Sequence, residues 1–132
     1  MDAGAELSRA ITRLLLDEPF FGHLLAQIPR QLGTEVPTAG VGLVGGQLRL
    51  LVNPDFFVGR IRRIGERVAV VKHEVLHVVL RHVFRVQRRD PLLWNVACDV
   101  VVNGWVRPWP LPEGAVTRET FPDLVLPADP TA

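Results

Sequence analysis

The stretch Lys72-His73-Glu74-Val75-Leu76-His77 has the pattern H-E-x-x-H and lies inside a long apolar run. On an α-helix, residues four apart lie on the same face, one turn apart. His73 and His77 can therefore offer two imidazole nitrogens to one metal ion. Glu74 follows the first histidine directly, where metal-dependent hydrolytic sites place the general base that activates water. Nitrogen and oxygen ligands, with one position left open for water, favour zinc.

The residues around this motif predict a buried helix. Apolar side chains precede, fill and follow the motif: Val68, Ala69, Val70, Val71, Val75, Leu76, Val78, Val79 and Leu80. A helix that is apolar nearly all round belongs inside a protein, where two histidines and a glutamate are costly unless they are paired or metal-bound. The alternative is a half-buried histidine face with Glu74 in solvent. We expect the helix to begin near residues 64–66 and to continue to about Arg88.

Length and composition limit the class of protein. With 132 residues, 48% of them apolar and 22% charged, residues 1–132 are expected to form one domain. The net charge of +1, from 15 basic and 14 acidic residues, gives no sign of nucleic-acid or membrane electrostatics. The single cysteine, Cys98, excludes an internal disulfide. No stretch has the pattern of a signal peptide or a transmembrane helix, so we expect a cytoplasmic protein with no nucleic-acid or membrane partner.

The part of the chain before the motif predicts helices and then a short sheet. Apolar residues at helical spacing indicate a first helix from Ala5 to Leu16. A second helix is expected to begin at Pro19 and to stop near Pro29. Residues 33–46 predict a loop with at most one short strand. Its end, Gly45-Gly46, has the composition of a turn.

Near-alternation of apolar and polar residues predicts a strand from Gln47 to Asn53. Asn53-Pro54-Asp55 ends it, and Asp55 is expected to cap a short helix. We expect this strand to form an edge of the sheet, where an extended peptide can be aligned by β-augmentation.

Beyond the motif the sequence predicts one more helix and then an irregular tail. The helix runs from Pro91 to about Asn103, with Asp90 as its N-cap and Gly104 as its C-cap. From about residue 105 to residue 132, repeated prolines forbid a long helix. We expect this Pro-rich tail to wrap the surface, held by three aromatic side chains: Trp105, Trp109 and Phe121.

A metal-dependent hydrolase usually takes three protein ligands, and two residues compete for the third place. On a continuous helix, His82 lies about 140° and about 180° from His77 and His73. It can join them only if the helix breaks first, and no Gly or Pro stands between His77 and His82. Asp99 interrupts an apolar helix that can fold back onto the motif helix. We therefore predict His73, His77 and Asp99 as the metal ligands, with His82 as the alternative.

Two asparagines flank Asp99 by one helical turn on either side. Asn95 and Asn103 are expected to orient the Asp99 carboxylate as hydrogen-bond donors. The chain has no tyrosine, so the candidates for stabilising an oxyanion are these two asparagines, His82 and an arginine. A competing structural interpretation pairs Asp99 with an arginine such as Arg81 or Arg107.

Four stretches of the chain occur in an order typical of one known family. They are Glu18-Pro19-Phe20-Phe21-Gly22-His23-Leu24-Leu25, the strand ending at Asn53-Pro54, His73-Glu74-Val75-Leu76-His77, and Trp94-Asn95-Val96-Ala97-Cys98-Asp99. Together they resemble the bacterial putative metallopeptidase domain that is often found fused to a von Willebrand factor A-like domain. The resemblance covers about Leu7 to Gly114. It implies a zincin-like fold with His73 and His77 as zinc ligands, Glu74 as the catalytic residue and Asp99 as the matching acidic position.

The resemblance leaves two points open. No A-like domain occurs within residues 1–132, so the partner and the regulation of the domain are not indicated. Metzincins are a poorer match, because the positions of their additional glycine and histidine are Leu80 and Val83 here.

Taken together, these patterns predict a small α+β, zincin-like domain, mostly helical with a short sheet, that binds one Zn²⁺. The expected reaction is hydrolysis of a peptide bond in a peptide or protein substrate, with Glu74 as general base. The alternative is a non-catalytic zinc-containing interaction module that works with a partner protein. Glu74 argues against that alternative, because a structural zinc site has no use for a base. The short chain and the Pro-rich tail argue for it.

Overall fold

The structure, a computed structural model, describes residues 2–80 and 99–112. Its elements are, in order, helices α1 (Ala3–Asp17) and α2 (Pro19–Ala26), strands β1 (Arg30–Leu32), β2 (Ala39–Val44) and β3 (Gln47–Val52), a π-helix (Asp55–Arg60) and helix α3 (Ile64–Val79). Residues 99–105 are also helical. The prediction of an α+β domain, mostly helical with a short sheet, is confirmed. No helix within the described ranges is long and apolar enough to cross a membrane.

Helices α1 and α2 form a tightly packed pair. The carboxylate of Asp2 accepts a hydrogen bond from the backbone N–H of Gly4 and caps α1, which is why the helix begins before the predicted Ala5. A Cβ atom at Gly22 would lie 2.2 Å from the Cα atom of Leu15. Only glycine allows this close approach of the two helix backbones, so Gly22 serves the packing although it is a weak helix former.

The sheet has three strands in the order β1-β3-β2. Strand β2 pairs antiparallel with β3, and the predicted turn between them is confirmed, with Gly45 and Gly46 at φ 59° and 80°. Strand β1, which the sequence did not predict, pairs parallel with the other side of β3. The prediction that β3 is an edge strand is therefore wrong, because the distant segment Arg30–Leu32 occupies its second edge.

Helix α3 passes through the centre of the domain. Its Val68, Val71 and Val75 pack in one core with residues of α1, α2, β3 and the π-helix. The predicted burial is confirmed, and it extends to two charged residues, Arg67 and Lys72. Helix α3 ends at Val79, and the predicted continuation to about Arg88 lies outside the described residues.

Two predicted caps differ from the structure. Asp55 lies in the first turn of the π-helix and is not its cap; its backbone N–H donates to the side-chain oxygen of Asn53. The Asn53 amide oxygen thereby closes a local turn with the N–H two residues later, and the π-helix itself is preceded by Pro54 without a side-chain cap. Gly104 lies inside the helical residues 99–105, so it is not the predicted C-cap. A single glycine without the left-handed conformation of a C-cap does not end a helix.

Residues 102–109 pack against helix α3 and the core. Val102 and Val106 pack against Ala69 and Leu76 of α3. Trp109 packs against both core clusters, as expected of a residue that holds the tail. Trp105 does not have this role, because 52% of it is exposed. The predicted contact of Phe121 lies outside the described residues.

Candidate metal centre

One turn of α3 brings the two histidines of the motif together. His73 and His77 lie four residues apart, their ring centroids are 4.7 Å apart, and the ring planes meet at 73°. In this edge-to-face arrangement the two Nε2 atoms are 3.0 Å apart. Both nitrogens therefore point to the same place beside the helix, as the four-residue spacing predicts.

The carboxylate of Asp99 completes this cluster from the other segment. Its Oδ1 atom lies 3.2 Å from Nε2 of His73 and 3.0 Å from Nε2 of His77. Among residues 2–80 and 99–112, these three form a group of possible metal ligands. Within the same ranges no arginine lies at ion-pair distance from Asp99, which removes Arg107 as its partner. The alternatives Arg81 and His82 lie outside the described residues.

Asn103 contacts His73 through Nδ1, the ring nitrogen that does not take part in the cluster. Its side-chain oxygen accepts a hydrogen bond of 2.6 Å from Nδ1 of His73. The bond fixes the ring and assigns a proton to Nδ1, so that the lone pair of a neutral ring lies on Nε2, toward the cluster. The sequence predicts Asn103 as a donor to the Asp99 carboxylate, whereas in this contact its side-chain oxygen accepts from His73. Asn95, predicted for the same role, lies outside the described residues.

Glu74 is buried beside the cluster. Only 7% of the residue is exposed, and its Oε2 atom lies 4.0 Å from Nε2 of His73. The alternative that places Glu74 in solvent is therefore wrong. A buried carboxylate at this distance from His73 is able to accept a proton from a water held between them.

The electrostatics of the cluster favour a positive charge at its centre. Burial lowers the pKa of His73, but the hydrogen bond to Asp99, the charges of Glu74 and Asp99 and the bond to Asn103 outweigh burial and raise it to about 9. Burial likewise raises the pKa of Asp99, but hydrogen bonds and charge from His73 and His77 hold that pKa far below its usual range. Without a metal, a proton on His73 supplies the positive charge that the carboxylates require.

These donors fit a divalent transition metal. Two imidazole nitrogens and one carboxylate oxygen are a common ligand set of catalytic metal sites. When His73 loses its proton, three lone pairs point to one position from atoms that are 3.0 to 3.2 Å apart. The site is also open to solvent, because 40% of the Asp99 side chain is exposed.

The sequence did not reveal a buried ion pair beside the metal centre. Lys72, directly before His73, donates to both carboxylate oxygens of Glu18, at 3.1 and 2.8 Å. Trp109 donates its indole N–H to the same carboxylate at 2.6 Å. A lysine inside an apolar helix was the available signal, since such a charge needs a buried partner.

Comparison with known families agrees with this geometry. The model of a family described as "Putative metallopeptidase domain" matches residues 3–124. The match includes both segments that carry the cluster. No curated protein and no solved structure matches the chain.

Proposed function

The chain belongs to this family of putative metallopeptidase domains, and from that premise we propose that it is a zinc-dependent peptidase. In this proposal His73, His77 and Asp99 bind the zinc ion and Glu74 is the general base. The observation that carries the proposal is the convergence of the two Nε2 atoms and Oδ1 to within 3.0 to 3.2 Å of one another. Family membership supports the reaction class, and the geometry supports the assignment of residues.

The distances in the cluster support zinc as the metal. Zinc binds histidine nitrogen and carboxylate oxygen at roughly 2.0 to 2.2 Å in tetrahedral geometry, which separates two ligands by roughly 3.3 Å. The three separations of 3.0, 3.0 and 3.2 Å in the structure are slightly shorter. A small outward movement of the side chains is enough to admit the ion. When bound, zinc supplies a Lewis acid for the scissile carbonyl and for the attacking water.

The protein's own residues perform the proton transfers. Glu74 is buried and lies within 4.0 Å of His73, so it can take a proton from the attacking water and pass it to the leaving amine. When His73 is neutral, its hydrogen bond to Asn103 keeps the ring proton on Nδ1 and leaves the lone pair on Nε2. Glu74 is the only one of these residues for which we propose a direct part in bond cleavage.

The openness of the cluster favours an enzyme over a purely structural zinc site. Structural zinc sites are closed by four protein ligands, whereas catalytic sites keep a position for water or substrate. The described residues supply three donors, and 40% of the Asp99 side chain is exposed. The interaction module without catalysis is the remaining alternative. It predicts bound zinc but no hydrolysis.

We further propose that an extended peptide is aligned on β2 rather than on β3. Strand β3 is paired on both sides, whereas β2 is an outer strand of the sheet formed by the described residues. Strand β2 also packs against α3, the helix that carries Glu74 and the two histidines. An outer strand that packs on this helix can pair with a substrate backbone.

Two measurements test the proposal. Metal analysis of protein purified without chelator is expected to find one zinc per chain. The same protein is expected to cleave an unfolded protein substrate, to lose that activity with a chelator and to regain it with added zinc. Absence of any transition metal, even after zinc is supplied, would refute the metal site. Bound zinc without cleavage of any of a broad set of peptides would favour the interaction module.

A further inference from the structure

We propose that Glu18 is a positioning residue for the metal centre, an inference that rests on the proposed function. Glu18 joins the end of α1 to the start of α2, and its carboxylate contacts both segments that carry the ligands. On one side it binds Lys72, the residue before His73 in α3. On the other side it binds Trp109, which follows the helical residues 99–105. Glu18, Lys72, Trp109 and the carbonyl of Arg107 are here named the Glu18 clamp.

Lys72 closes the clamp with a second bond. Its ammonium group donates to the carbonyl oxygen of Arg107 at 2.9 Å as well as to Glu18. The side chain of Lys72 is almost fully buried, with 3% exposed. A buried ammonium needs all its hydrogen bonds satisfied, so its position fixes where residue 107 lies relative to α3. The guanidinium of Arg13 on α1 adds a cation–π contact with Trp109 at 5.6 Å.

The clamp is important because apolar packing alone does not fix the register of the 99–105 segment. Val102 and Val106 bury this segment against α3, but such contacts are not directional. Asp99 and Asn103 must nevertheless meet His73 and His77 to within a few tenths of an ångström. The charge-assisted bonds of the clamp are directional and join α3 to the chain just beyond the segment. The geometry thus points to Glu18 as the residue that sets the place of the third ligand.

A second buried ion pair offers a matched control. Arg67 of α3 binds Glu6 of α1 at 2.8 Å, the same distance as between Lys72 and Glu18. Glu6 lies in α1 and Glu18 directly after its last residue, so both pairs join this part of the chain to α3, and both glutamates keep only a small exposed fraction. Within the described part of the chain, however, Glu6 has no hydrogen bond or ion pair with residues 99–112, the segment that carries Asp99. Loss of either pair should lower stability, but only loss of the Glu18 clamp should change the metal centre.

The experiment compares Glu18→Gln with Glu6→Gln in the full chain, using cobalt(II) as the probe. Cobalt affinity and the visible absorption spectrum are measured, together with the far-UV circular dichroism and the melting temperature. Glu18→Gln is expected to bind cobalt about 10-fold or more weakly, within the range of outer hydrogen-bonding partners, and to show a changed spectrum. Glu6→Gln is expected to melt at a lower temperature yet to keep the wild-type affinity and spectrum.

Several results would overturn the inference. Equal cobalt affinity and equal spectra for the two variants would show that Glu18 is merely structural. If Glu18→Gln does not fold, Trp109→Phe carries the test, because it removes the 2.6 Å bond but keeps an aromatic ring. Wild-type affinity in Trp109→Phe would then contradict the positioning role of the Glu18 clamp.

If the wild-type chain binds neither zinc nor cobalt, the proposed function fails and this inference fails with it. Normal binding by both wild type and Glu18→Gln refutes only the clamp.

Discussion

Nε2 of His77 lies 3.0 Å from Oδ1 of Asp99, although the two residues are 22 positions apart in the chain. This contact joins α3 to a separate helical segment at the place where a metal would bind. A metal held by both residues would therefore also hold the two segments together. The assignment of the metal ligands therefore depends most on Asp99.

Replacement of Asp99 by Asn is expected to reduce zinc affinity by more than about 100-fold, the upper range for an outer hydrogen-bonding partner. The amide keeps the shape but removes the negative charge that balances the cation. Isothermal titration with zinc measures the change. His82→Ala is the comparison, because His82 is the competing candidate. An equal or larger loss in His82→Ala would transfer the third ligand position to His82.

Glu74→Gln should leave zinc bound but reduce hydrolysis by roughly 100-fold or more, since the amide cannot accept the proton of the attacking water. Metal content and peptide cleavage are measured on the same preparation. Glu66→Gln is the matched control, because Glu66 lies in the first turn of the same helix. If Glu74→Gln keeps the activity of Glu66→Gln, another group takes the proton.

The hydrogen bond from His73 to Asn103 predicts that two substitutions of Asn103 differ in their effect on zinc affinity. Asn103→Ala removes the acceptor and is expected to lower zinc affinity by roughly 10- to 100-fold. Asn103→Asp keeps an acceptor at the same place and should retain affinity close to that of the wild type. Nitrogen chemical shifts of the histidine rings report the tautomer of His73 in each variant. Identical zinc affinities for the two variants would show that this hydrogen bond does not orient the ligand.

The raised pKa of His73 predicts how zinc affinity depends on pH. Burial lowers this pKa, but the hydrogen bond to Asp99 and the charges of Glu74 and Asp99 raise it overall, from 6.5 to about 9. Zinc must displace the proton from His73. Apparent affinity should therefore increase about tenfold per pH unit up to about pH 9. Competition with a chelator of known protonation measures it, and a constant affinity between pH 7 and pH 9 would contradict the assignment.

The raised pKa of His73 also predicts that the metal-free protein becomes less stable as the pH rises, whereas zinc affinity increases. Because the folded-state pKa is raised, the protonated His73 stabilises the fold fully below about pH 6.5. That stabilisation is lost as the pH rises toward about 9. In the presence of a chelator, the melting temperature should consequently fall over this range. A stable or rising melting temperature would indicate that His73 is neutral in the folded state.

Local patterns predicted the parts of the fold that depend on neighbours in sequence. The spacing of His73 and His77 and the apolar residues around them predicted α3 and its burial. The alternation after Gly45-Gly46 predicted β3. These features follow from helical and strand periodicity, which a short window of sequence contains.

Features that depend on distant residues were missed or misplaced. Strand β1, Arg30–Leu32, is too short to show a pattern and exists because it pairs with β3, so the central position of β3 in the sheet could not be predicted. The partners of Arg67 and Lys72 are Glu6 in α1 and Glu18 at the junction of α1 and α2, and sequence spacing does not contain this information. Tertiary contacts decide such features, and local propensity does not.

The candidate site shows the same division between local and distant information. The two histidines and Glu74 came from one motif, and Asp99 came from the cost of a carboxylate in an apolar helix. The hydrogen bond between Asn103 and His73 did not follow from the sequence, because the helical spacing of Asn103 and Asp99 predicts a contact with Asp99 instead. The Glu18 clamp did not follow from any pattern, since Lys72 alone does not indicate which carboxylate it meets.

A crystal structure of the zinc-loaded protein shows directly which side chains bind the metal, when the ion is located by anomalous scattering at the zinc absorption edge. We predict one zinc ion, bound by Nε2 of His73, Nε2 of His77 and a carboxylate oxygen of Asp99, each at roughly 2.0 to 2.2 Å. A zinc ion completed by another side chain, with Asp99 turned toward an arginine, would contradict the account.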